Sequence, residues 1–142
     1  MPKILFTYNG ISANLKNKTR LKVFLSSIFA TEGLSFDIVT FIFCTDQAVL
    51  ALNQEYLKHD TLTDILTFPL SNPGLPIVAE VYISVERVRE NSQKYGVTYF
   101  EELHRVMIHG ILHLCGFLDH TPQLKKQIRA KEKFYLDRVR FT

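Results

Sequence analysis

Apolar residues along this chain follow two periods, and the switches between them mark out the elements. KILFTY, residues 3–8, reads as a first strand. From about Lys18 to Ala30, apolar Leu21, Phe24, Leu25, Ile28 and Phe29 recur at helical spacing, and Gly33 supplies a stop. SFDIVTFIFC then forms a long run of β-branched and aromatic residues that predicts a second strand. Thr45 or Asp46 can cap a helix through QAVLALNQEYL. TDILTFPL and IVAEVYIS read as two further strands joined by the turn-rich SNPGLP.

After Ser84 the pattern turns helical. Ser84 can cap a helix to Tyr95 that Gly96 ends. Thr98 and Glu101 stand in capping-box relation at the head of YFEELHRVMIHGILHLC, which Gly116 would close. Thr121 followed by Pro122 is a cap and first-turn proline for a last helix through about Val139. Four strand candidates interleaved with helices predict an α+β or α/β layer about one sheet.

At 142 residues, without a repeat or linker, the chain is the size of a single domain with a real core. Its longest apolar runs, such as Ile38 to Cys44, fall well short of the roughly 20 residues that cross a bilayer, so no membrane span is expected. The N-terminus lacks the apolar core and small-residue cleavage site of a signal peptide, which predicts a cytosolic protein. Cys44 and Cys115 are far apart with no C-x-x-C pair. This argues against a disulfide framework and a thiolate zinc site, and leaves two buried thiols. The net charge of +3 suits an anionic partner without requiring one. Lysine and arginine concentrate in NLKNKTRLK and QLKKQIRAKEKF, as solvated helix faces or as contacts to such a partner.

The chemistry concentrates in HGILHLCGFLDH, residues 109–120. On a helix, positions four apart differ by about 40° around the axis, so His109 and His113 stack on one face and can share a metal ion. Gly116 can take the left-handed turn that sends the chain back under the helix, so that Asp119 or His120 supplies a third ligand. His104 points elsewhere on the helix, and Cys115, about 200° round from His113, is poorly placed for the same ion. In H-E-x-x-H peptidases the glutamate after the first histidine is the general base, but here that position is Gly110. Zinc-peptidase chemistry is disfavoured, and metal-assisted hydrolysis of another substrate stays open, since zinc lowers the pKa of bound water to about 7.

HGILHLCGFLDH resembles the H-G-x-L-H-L-x-G-Y-D-H signature of the YbeY family, bacterial metal-dependent endoribonucleases linked to ribosomal RNA maturation. LNQEYLKHDTLTDILTFP is similar to the family's L-N-x-x-Y-R-x-x-D-x-P-T-D-V-L-S-F-P, and AEVYISVERVRENS to its G-D-I-x-I-S strand and following helix. The resemblance implies one α+β domain over residues 1–142, with a mixed sheet of about four strands, about five helices and a metal site on a late helix. It implies one zinc ion per chain, RNA as substrate, the ribosome as setting, and metal-polarised attack on a phosphodiester.

The chain departs from the family pattern in ways that bear on chemistry. The family's third histidine falls six positions after the second. Aligned without a gap, Asp119 takes that place, giving His109, His113 and Asp119 as the ligand set; an insertion at Leu118 would instead bring in His120. The fixed turn length favours Asp119, and two histidines with a carboxylate also suit iron, manganese or nickel. Leu57 stands where the family has an arginine, whose guanidinium can clamp a phosphate; Lys58 and His59 are the nearest other cations. Leu62 and Ala79 replace the family's proline and glycine, while Asp64 and Ser84 match. Against the endoribonuclease reading stand a metal-dependent hydrolase of another substrate and a non-catalytic RNA- or ribosome-binding factor with a structural metal. The oligomeric state, the RNA site and the general base are not legible.

Overall fold

The computed structural model describes residues 1–59 and 61–139 and holds five helices and one four-stranded sheet among them. Asp60 and the last three positions of the expected 1–142 domain lie outside the described residues. The order is β1 (Lys3–Tyr8), α1 (Lys18–Thr31), β2 (Phe36–Cys44), α2 (Asp46–Leu57), β3 (Ile65–Pro69), β4 (Ile77–Ser84), α3 (Val85–Tyr95), α4 (Tyr99–Leu114) and α5 (Pro122–Leu136). The strands lie β1-β2-β4-β3, with β1, β2 and β4 parallel and β3 antiparallel to β4. This is the single α+β domain with a mixed sheet that the sequence predicts.

Alternation along the strands divides the sheet into two unequal faces. Val39, Phe41 and Phe43 of β2, with Ala79, Val81 and Ile83 beside them on β4, are buried in the main core. That core takes in Leu21, Leu25 and Ile28 of α1, Val88 of α3 and the apolar side of α4. On the opposite face α2 packs, its Val49 against Cys44 and Leu66. Leu103, Val106, Met107, Ile108, Ile111 and Leu112 of α4 are all buried, so this helix is fixed on most sides. The histidines at 109 and 113 lie along its one less buried strip.

The helix ends follow local rules. Thr45, Ser84, Thr98 and Thr121 each accept a hydrogen bond from the backbone N–H three residues on. At the end of α1, Leu34 N–H reaches back to Phe29 O, a closure that Gly33 permits by its left-handed φ of 76°. The last helix stops at Leu136, short of the expected Val139. There the N–H groups of Arg138 and Val139 reach only three residues back, to Tyr135 and Leu136, so the chain tightens beyond the helical register. The third strand likewise starts at Ile65 rather than Thr63.

Glu32, capping the end of α1, ties that helix to α5. It accepts hydrogen bonds from Tyr135 Oη and, at 3.0 Å, from Lys131 Nζ. Burial pushes the carboxyl up, but these two partners outweigh it and hold the group below its ordinary value. A lowered folded-state pKa adds stability above the unfolded value and loses it as pH falls through the folded one. Glu32→Gln is therefore expected to cost about 1 kcal/mol near neutrality, and the gap to wild type should close in acid. Thermal midpoints of both proteins across pH would show it; a pH-independent gap would contradict it.

Candidate metal centre

The site is assembled where α4 ends. His109 and His113 sit one turn apart, and their Nε2 atoms face each other at 2.9 Å. Gly116 then turns the chain with φ of 99°, while its N–H bonds His113 O and the next N–H, of Phe117, bonds Leu112 O. That closure fixes the path of residues 117–120 before Thr121 caps α5. Asp119 lands beneath the histidines, with Oδ2 3.6 Å from His109 Nε2 and 3.4 Å from His113 Nε2. His120 is exposed and stands outside this cluster.

Three donors at these separations fit a metal ion. Tetrahedral coordination at about 2.0–2.2 Å places donor atoms about 3.3–3.6 Å apart, and the observed 2.9, 3.4 and 3.6 Å lie within a few tenths of an ångström of that range. His109, His113 and Asp119 form the one group among the described residues that could hold an ion. The three residues line a cleft of about 500 Å³ between α4 and β3, so an ion held by them would be reachable from solvent.

Behind the cluster lies a buried charge network. Glu132 of α5, its side chain 4% exposed, meets His109 Nδ1 at 2.6 Å. Arg105, one turn before His109, donates to Glu132 at 3.0 Å and to both oxygens of Glu102, at 3.0 and 2.6 Å. Burial pushes the Glu132 carboxyl up, but His109 and Arg105 together hold it below the usual range. An ionised Glu132 can only accept, so the proton between the two groups belongs to Nδ1, and Nε2, which faces Asp119 and His113, is the nitrogen that the neutral ring would offer to a metal. Among the described residues Arg105 is the cation paired with Glu102, Glu132 and Asp64, the last at 3.8 Å. The excess of carboxylate favours a cation at the open side. Burial raises the Asp64 pKa against the pull of Arg105 and His109.

Gly110 has a structural reason to lack the peptidase glutamate. A Cβ at this position would come within 2.9 Å of Ile65 Cδ1 and 3.1 Å of Val81 Cγ1. Position 110 is buried and faces the sheet, so a carboxylate there would have to be desolvated against apolar side chains. Leu57, by contrast, does line the cleft, at the end of α2. Lys58 next to it is an exposed left-handed cap with φ of 59°. Half-buried His104 lies apart, near Phe100 and Lys16. Cys44 is buried, and half-buried Cys115 packs against the main core; burial pushes their thiols up to about 11 and about 12, so neither is a reactive thiolate.

Sequence reasoning missed Glu132, Arg105 and Glu102. A signal for Glu132 existed: it stands four residues after Ile128 and three before Tyr135, on the buried stripe of α5. A carboxylate on an apolar stripe announces a buried partner. Glu132→Gln keeps the shape but offers an amide where the carboxylate accepts. It should weaken metal affinity about 10- to 100-fold, measured by competition with a chromogenic chelator. Unchanged affinity would remove Glu132 from the site's support.

The comparisons with known proteins agree with this geometry. The family model described as endoribonuclease YbeY matches residues 9–140. The curated endoribonuclease YbeY of Flavobacterium psychrophilum is 43% identical over 129 residues, covering 91% of each chain. The one from Amoebophilus asiaticus is 37% identical over 138 residues, covering 96% of this chain and 94% of its own. A Thermotoga maritima protein solved in solution superimposes with a TM-score of 0.67 at 31% identity, over 94% of this chain and 87% of that one. With the family model matching residues 9–140 and relatives matched over nearly the whole length, the chain belongs to the endoribonuclease YbeY family.

Proposed function

We propose that this protein is a metal-dependent endoribonuclease that acts in ribosomal RNA maturation in the cytoplasm. The observation that carries the reading is the convergence of His109 Nε2, His113 Nε2 and Asp119 Oδ2 at an open cleft, in a chain of this family. His109, His113 and Asp119 are the ligands, zinc is the first choice of metal, and the same donors suit iron, manganese or nickel. When bound, such an ion supplies Lewis acidity toward a phosphodiester and its attacking water. The chain's own residues do the rest: Glu132 holds the His109 proton on Nδ1, and Arg105 holds Glu132.

RNA as substrate is supported by the family and by the net charge of +3. The cytoplasmic setting is supported by two free thiols; among the described residues no helix is long and apolar enough to cross a membrane. One observation favours a rival, an RNA- or ribosome-binding factor whose metal is structural: Leu57 stands on the cleft wall in place of an arginine. Three protein ligands with an open position speak for catalysis, since structural sites are closed by four.

Metal content by mass spectrometry on wild type, Asp119→Ala and His120→Ala tests the assignment, with cleavage of a single-stranded RNA measured alongside. About one metal per chain, lost in Asp119→Ala together with cleavage and kept in His120→Ala, is expected. Loss only in His120→Ala would overturn the ligand set, and metal retention without cleavage by wild type would favour the binding factor.

A further inference from the structure

The strand that walls the metal cleft, β3, is an edge of the sheet, and its register decides which backbone groups face outward. In an antiparallel pair, alternate residues exchange both hydrogen bonds with the partner, and those between turn N–H and C=O away. Leu70 N–H bonds Val78 O and Ser84 N–H bonds Asp64 O, which puts residues 64, 66, 68 and 70 on the bonded side. Ile65, Thr67 and Pro69 therefore present their backbone to the open edge. The hydroxyl of Thr63 lies 3.4 Å from Ile65 O, on that same open side. Pro69, which has no N–H, occupies a position where none is needed for the ladder.

This open edge is part of the cleft. Ile65 and Thr67 line it together with His109, His113 and Asp119. Among the described residues the lining includes no lysine or arginine, and it includes the carboxylates of Asp64 and Asp119. A phosphodiester entering the cleft needs donors, and beside the threonine hydroxyls the wall offers the N–H groups of Ile65 and Thr67.

We propose that the open edge of β3 is an RNA-positioning site, in which the backbone N–H groups of Ile65 and Thr67 donate to non-bridging phosphate oxygens next to the bond to be cleaved. The proposal rests on the endoribonuclease reading and deepens it. Backbone N–H groups are ordinary phosphate ligands, and they position a nucleic acid without reading its sequence. They also bind the anion without adding a fixed positive charge beside a metal. An extended polypeptide is the poorer occupant. Strand addition uses acceptors and donors in alternation, whereas this edge has two N–H groups before a proline, and one of its carbonyls already faces the Thr63 hydroxyl.

The register supplies a clean variant. Thr67→Pro removes an outward N–H without touching a ladder bond, at the same parity as the natural Pro69. Thr67→Val keeps the N–H and removes the hydroxyl, which lies on the α4 side, 3.7 Å from where a Gly110 Cβ would be. The probe is a 2′-O-methyl single-stranded oligoribonucleotide, which cannot be cleaved, read by fluorescence anisotropy; unmodified RNA of the same sequence gives KM and kcat. Thr67→Pro should weaken binding roughly tenfold and raise KM more than it lowers kcat, with metal content retained, while Thr67→Val binds nearly as wild type. Equal affinity of folded Thr67→Pro and wild type would overturn the proposal.

A measurement on wild type alone guards against a variant that fails to fold. On adding the same oligonucleotide, amide exchange at Ile65 and Thr67 should slow about tenfold, with no comparable change at Leu66 and Phe68. Unchanged exchange at those two amides would overturn the proposal, as would protection by a β-strand-forming peptide and not by RNA. If wild type neither binds nor cleaves RNA, the endoribonuclease reading falls too; if it cleaves RNA while the two amides stay unprotected, this proposal alone falls.

Discussion

The contact between His109 Nδ1 and Glu132 Oε2, at 2.6 Å, is the constraint on which the site depends. It gives a proton on Nδ1 an acceptor and turns Nε2 toward His113 and Asp119. It also joins the two helices that carry the site, since Glu132 comes from α5 and His109 from α4. A carboxylate this buried is costly unless paired, and the pairing is complete: Arg105 holds its other oxygen, and Glu102 holds Arg105. The arrangement places negative charge behind the histidines and leaves the open side suited to a cation.

The sheet imposes the second constraint. α4 lies against β3 and β4 closely enough that a Cβ at residue 110 would press on the side chains of Ile65 and Val81, so packing disfavours a larger residue immediately after the first histidine. The glutamate of H-E-x-x-H helices is replaced here by Gly110. The same closeness brings the open edge of β3 alongside the histidines, and the cleft is the space between them.

Much of the fold was legible because its signals are local. The caps at Thr45, Ser84, Thr98 and Thr121 and the turns at Gly33, Gly96 and Gly116 are each decided within a few residues. The histidine pair was legible for the same reason, since four-residue spacing on a helix fixes a shared face. Strand order was not legible: it follows from which faces α1, α2 and α4 cover, a property of the assembled layers. Glu132 was missed because its partner is 23 residues away on another helix, and without that partner it reads as one charge in a basic run. That Asp119 rather than His120 lies beside the histidines follows from the path after Gly116, which spacing alone left open.

The most direct test of this account is the tautomer of His109, read from the nitrogen shifts and couplings of the ring in 15N-labelled, metal-free protein near neutral pH. The account predicts the Nδ1–H form, converting in Glu132→Gln to a mixture of forms. A proton resident on Nε2 in wild type would mean that Glu132 does not orient the ring, and would contradict the account at its centre.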